Sequence, residues 1–198
     1  MTPRFDIDER ILDAAEKLFS QIGYDLTTVK MISEVAEVDL AVLGQTEKEQ
    51  IYRQVFARLH HIETTQIVAA IKKSSNSIEG IHSAVDAFLD FIVAHPELPA
   101  LWDQRGLGDA ADIHLSPRDY PAPLMKILTT NPWEGIAADL DLRMLAWIII
   151  WGAGRFAHNG FVDEDEQRVF PDNPDALRRF RNQIHEIVDA LNKMDTSQ

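Results

Sequence analysis

The 198 residues contain no cysteine, so no disulfide and no thiolate metal site can form. That absence suits a reducing cytoplasm, where we expect the protein to work. Long apolar runs are also missing. The most apolar stretch, Met144 to Gly154, is closed off by Arg143 and Arg155 and is about half the ~20 residues a bilayer span needs. It reads as a buried core helix, and no membrane association is expected. The N-terminal MTPRFDIDER is charged and has no apolar leader segment, unlike a secretion signal.

Positive charge is scarce. The formal net charge is −13. The first 60 residues hold seven Lys and Arg against eleven Asp and Glu. From Met31 to Glu47 there is no Lys or Arg, while Glu34, Glu37, Asp39 and Glu47 are all acidic. Phosphate backbones repel such a chain unless its basic groups cluster. Catalytic patterns are absent too: no nucleophile elbow, glycine-rich phosphate loop or recognisable carboxylate pair. The histidines form no HExxH-type pattern. We expect no enzyme, no metal and no cofactor.

Helical periodicity fills most of the chain. In RILDAAEKLFSQIG, Ile11, Leu12, Ala15, Leu18, Phe19 and Ile22 share a face, and Gly23 suits the stop. Thr27 or Thr28 can cap a second helix burying Val29, Ile32 and Val35. Asp39 can cap a very short third one. A long helix from about Lys48 to Lys73 follows, its inner side carrying Ile51, Val55, Leu59, Ile62, Ile67 and Ile71. KKSSNSIEG reads as a connection, and the next helix stops near His95-Pro96.

Residues 96–135 are broken by six prolines and should hold only short helices, near Leu98–Arg105 and Pro123–Leu128. A strongly apolar helix is expected over 138–158, then a loop, NGFVDEDEQRVFPDN. Asn173 and Pro174 mark the cap and first turn of the last helix. Leu177, Phe180, Ile184, Ile187 and Leu191 give it a heptad-like seam for another helix. We expect no β-strand and an all-α fold.

The segment ILDAAEKLFSQIGYDLTTVKMISEVAEV resembles the N-terminal module of the TetR family of one-component bacterial regulators. The matching features are Ala14-Ala15, Leu18-Phe19, Gly23-Tyr24, Thr27-Thr28-Val29 and Ala36-Glu37-Val38. The resemblance covers roughly residues 9–52. It implies a helix-turn-helix domain over 1–47 and a larger helical effector-binding and dimerisation domain over 48–198, with helix 48–73 connecting the two. Two departures lie together. Glu37 stands where the family has a turn glycine, and the reading-helix segment is about two residues short, without the usual aromatic cluster.

The resemblance further implies a dimeric transcriptional regulator that binds double-stranded operator DNA under control of a small apolar or aromatic effector. DNA contacts then fall to Thr27, Thr28, Lys30 and Lys48 on phosphate, and to Leu40, Ala41 and Gln45 on base edges. The plainer reading of these residues is capping and solvated charge. Phe88, Phe91, Trp102, Trp133, Trp147 and Trp151 lie in the part that forms the effector pocket in that family, though core or dimer packing is the plainer reading of any one of them. The last two long helices supply the dimer interface, with Leu145, Ile149, Leu177, Phe180, Ile184, Ile187 and Leu191 as candidates. The acidic, shortened 37–47 segment keeps an alternative open: a TetR-fold dimer that binds a ligand or partner and has weakened or lost DNA binding.

Overall fold

The computed structural model describes residues 7–43, 47–116, 118–137 and 139–193, without the side chains of Val42 and Lys193. It is helical almost throughout, as the periodicity predicts. Helices α1 (Glu9–Ile22), α2 (Val29–Val35), α3 (Leu40–Leu43), α4 (Lys48–Lys73) and α5 (Ile78–Ala94) come first. They are followed by α6 (Glu97–Gly106), α7 (Pro121–Thr130), α8 (Leu142–Asn159) and α9 (Pro174–Lys193).

Caps set several of the boundaries. Asp8 accepts from the Arg10 N–H at the start of α1. Thr28 caps α2 by accepting from Met31 N–H, and Asp39 accepts from Ala41 N–H at the start of α3. Asp141 accepts from Met144 N–H, so α8 begins at Leu142 rather than near 138. Asn173 accepts from the N–H groups of Asp175 and Ala176. Each bond satisfies a donor that a helix start would otherwise leave open.

The loop expected between α8 and α9 contains a small hairpin. Strands β1 (Phe161–Val162) and β2 (Arg168–Val169) pair antiparallel, Phe161 opposite Val169. Asp163 closes its turn by accepting from Asp165 N–H and Gln167 N–H. The aromatic and β-branched residues that favour the pairing are too few to give a readable alternation.

The chain divides into two compact units: residues 1–62 with 97–120, and residues 63–96 with 121–198. This differs from the expected division at 47/48. The first half of α4 belongs with the N-terminal helices, and so does the later segment 97–120.

In the first unit α1 packs on α2 and α6. Leu12, Ala15, Phe19, Ile32, Ile51, Tyr52, Val55, Phe56 and Leu59 are fully buried there. Ile22 and Val35, expected inside, are largely exposed. Ser33 is buried instead, its hydroxyl donating to Val38 O at 2.8 Å. Arg58 lies buried against the acidic side of α1 and donates to Glu9, Asp13 and Glu16 at 3.0, 2.7 and 2.5 Å. Burial opposes its charge, but the bonds to Glu16 and Asp13 outweigh that and raise its pKa above the usual arginine value.

In the second unit α5 packs against α8 and α9, and α7 against α8. One ion pair and two histidine–carboxylate contacts join α5 to α9: Asp90 with Arg181 at 2.5 Å, Asp86 with His185 at 2.9 Å and His82 with Asp189 at 3.0 Å. Partners spaced four apart on each helix produce this reversed order when the helices run antiparallel. Among the described residues, no helix is long and apolar enough to cross a membrane.

Candidate nucleic-acid interface and effector cavity

Two turns shape the helix-turn-helix. The first joins α1 to α2. Gly23 has φ +84° and ψ 165°, a region essentially reserved for glycine. The Asp109 carboxylate accepts from Tyr24 N–H at 2.8 Å and Asp25 N–H at 2.9 Å. On the carbonyl side, the Lys48 ammonium donates to Tyr24 O at 2.8 Å and Thr27 O at 2.9 Å, and lies 3.9 Å from the centre of the Tyr24 ring. Tyr24 in turn packs on Phe19 and Tyr52, with ring centroids 5.7 and 4.8 Å away.

The second turn joins α2 to α3. Val38 N–H donates to Ser33 O and Glu37 N–H to Glu34 O. This is the Schellman pattern of a helix end. Its left-handed position is Glu37, at φ +53°, where glycine is the usual residue.

These turns sort the expected DNA contacts. Thr28, Lys30, Leu40 and Ala41 are exposed. Lys30 is 3.7 Å from Glu34, an exposed pair of little energetic weight. Thr27 is corrected: it is fully buried, and its hydroxyl donates to Gly23 O at 2.6 Å. Turn closure, not phosphate, takes its donor. Lys48 is half-buried and spends two of its N–H groups on the first turn. Gln45 lies outside the described residues.

The aromatic candidates scatter. Phe88 lines a cavity in the second unit with Ile67, Ala84, Val85, Leu124, Met125, Leu128, Ala146, Ile149 and Ile150. It is about 50 Å³, well below the roughly 300–1,000 Å³ of small-molecule sites. Phe91 is fully buried against His95 and does not line it. Trp102 belongs to the first unit, packed with Phe56, His60 and Tyr120. The Trp133 indole donates to Leu128 O. Trp147 and Trp151 stack on each other at 5.9 Å, and Trp151 is 59 % exposed. The sequence missed most of the cavity, because its aliphatic lining looks like any other core.

The dimer candidates also divide. Leu145, Ile149 and Ile184 are buried within the chain, so they serve its own core. Leu177 and Phe180 are half-buried, the latter stacked on Phe156 at 4.5 Å. Ile187 and Leu191 are exposed. On α8 the outward residues are Met144, Ile148 and Trp151, 50–59 % exposed. Their spacing of four and three was legible in the sequence, but an all-round apolar helix hides which side faces out.

The arrangement defines a helix-turn-helix protein with a separate helical unit holding an apolar cavity. Residues 11–43 match the family model of bacterial regulatory proteins, tetR family. Over these residues the chain is similar to the N-terminal module of the TetR family. It is similar to an uncharacterized HTH-type transcriptional regulator, YhgD of Bacillus subtilis (strain 168), at 29 % identity over 92 residues, 46 % of this chain and 48 % of that one. The match thus spans about half the length of that curated relative. In fold, the chain is similar to the fatty acid degradation regulator FadR from Bacillus halodurans, with TM-score 0.71, 15 % identity and coverage of 94 % and 96 %. FadR from Bacillus subtilis, solved in complex with stearoyl-CoA, gives TM-score 0.64, 19 % identity and coverage of 92 % and 98 %.

Proposed function

We propose that the protein is a cytoplasmic, dimeric transcriptional regulator whose DNA binding responds to an apolar effector. The carrying observation is the first helix-turn-helix turn: Gly23, Asp109, Lys48 and the Tyr24–Tyr52 packing all hold α2 in place. The start of α2 then offers Thr28 and Lys30 to phosphate, and α3 offers Leu40 and Ala41 to the groove, where apolar side chains meet thymine methyls. Met144, Ile148 and Trp151 of α8, with Ile187 and Leu191 of α9, give an apolar surface suited to a second copy of the chain.

The cavity supports an aliphatic effector. Its lining offers hydrocarbon and no charged side chain. The stearoyl-CoA in complex with the Bacillus subtilis neighbour carries an acyl chain of that kind. An acyl chain must displace lining side chains to enter, and that displacement is how it would shift DNA affinity through a coupling free energy.

The second reading, a TetR-fold binding protein without DNA, is favoured by one observation: both lysines near the reading surface have intramolecular partners. Enrichment of genomic fragments on the purified protein separates the two, run at low salt and at physiological salt, where the Debye length is about 8 Å. One sequence retained at both salts supports the regulator. No enrichment at either salt, from folded dimer, overturns it.

A further inference from the structure

The segment 97–120 lies far from the helix-turn-helix in sequence, yet it folds into the same compact unit. One of its carboxylates, Asp109, bonds to that module. The two N–H groups it accepts belong to consecutive residues, Tyr24 and Asp25, which form an anion-holding concavity of backbone donors. Gly23 makes room for it: a Cβ there would stand 2.9 Å from Asp109 Oδ1. The loop carrying Asp109 is itself wound tightly, with Gly108 at φ +99° and Ala110 at φ +52°. Arg105 anchors the far side of this loop, donating to Ala110 O at 3.2 Å and Ile113 O at 2.8 Å.

We propose that Asp109 is a positioning residue for the DNA-reading module, and that the 97–120 segment acts on the start of α2 through it. The carboxylate holds Tyr24 and Asp25, and the chain passes from them through the Thr27 hydroxyl bond to the Thr28 cap within four residues. A movement of the Asp109 loop therefore reaches the first turn of α2 through these hydrogen bonds and the short backbone segment between them. The connection to DNA rests on the regulator reading above; the hold on the turn does not.

Residue-resolved amide exchange on the full-length protein tests the two parts separately. Asp109→Ala should speed exchange at Tyr24 and Asp25 at least tenfold, leaving α5, α8 and α9 as in the parent. Asp109→Asn keeps an acceptor oxygen without the charge and should restore part of the protection. Gly108→Ala touches nothing within 4 Å but strains the loop, so it should also speed exchange at Tyr24 and Asp25. Unchanged exchange at these two amides in Asp109→Ala or in Gly108→Ala overturns the proposal, as does an equal increase across both units. If the parent protein enriches a DNA sequence, Asp109→Ala should weaken that binding at least fivefold. Unchanged affinity together with faster exchange overturns the link to reading. A parent that binds no DNA refutes the regulator reading, and the exchange result still decides whether Asp109 holds the turn.

Discussion

The two turns of the helix-turn-helix are built on opposite plans. The α1–α2 turn is bonded from outside itself: Asp109 takes its N–H groups, Lys48 takes its carbonyls and Tyr52 packs beneath it. The α2–α3 turn closes on its own backbone and the Ser33 hydroxyl, with Glu37 in a conformation that suits glycine. The family pattern is kept at the first and broken at the second. A turn tied to several partners tolerates little change, because each partner constrains the same few atoms. A turn whose bonds, among the described residues, stay within itself can absorb a strained residue at the cost of one φ angle. The departure at Glu37 therefore falls on a turn whose backbone bonds stay local.

Breaking the first turn should produce the largest effect. Gly23→Ala would need a backbone region closed to alanine and would press a methyl on Asp109. A loss of about 3 kcal/mol is expected from such strain and crowding, read by urea denaturation. The same turn should fail next in alkali. Burial pushes the Tyr52 phenol up to about 12. Its folded-state value lies above the unfolded one near 10, so the stabilisation is complete below pH 10 and is lost as pH rises toward 12. The linked loss is about 2–3 kcal/mol. Tyr52→Phe should flatten this alkaline slope, and a slope identical to the parent would show that another group causes it.

The difference between the turns was only partly legible in the sequence. Gly23 and the Thr28 cap were readable, because φ freedom and capping are local properties of residue type. Glu37 could be picked out because the resemblance places a turn glycine at that position. Asp109 could not be read: its partners are more than 80 residues away, and no local pattern marks a carboxylate that folds onto a backbone. The same limit explains Lys48. The resemblance matched it to a phosphate-binding lysine, while its bonds in the fold go to Tyr24 and Thr27. In the second unit, periodicity found the helices but not the outward side of α8. Leu145 and Ile149 point in and Ile148 points out, and the surrounding residues are apolar on both sides.

Lys48→Met sharpens the comparison with a smaller effect. It keeps the length and packing of the side chain but removes two hydrogen bonds and the contact with the Tyr24 ring. About 2 kcal/mol should be lost. Thermal denaturation gives the total, and faster exchange at the amides of the first turn, with the second unchanged, gives its place.

Glu37→Gly should act in the opposite direction and by the least. Glycine relieves the left-handed strain at φ +53°, worth roughly 1–2 kcal/mol. It also gives up backbone entropy of about 0.5–1 kcal/mol. The balance is a gain of about 0.5–1 kcal/mol, or about 1–4 °C in Tm for a chain of this size. The substitution also removes one of the four acids between Met31 and Glu47. If this surface meets DNA, affinity should therefore rise most at low salt, where the repulsion is least screened. A more stable protein with unchanged DNA affinity at every salt would place Glu37 outside the DNA contact. A less stable one would mean that its side chain contributes more to the turn than its backbone costs.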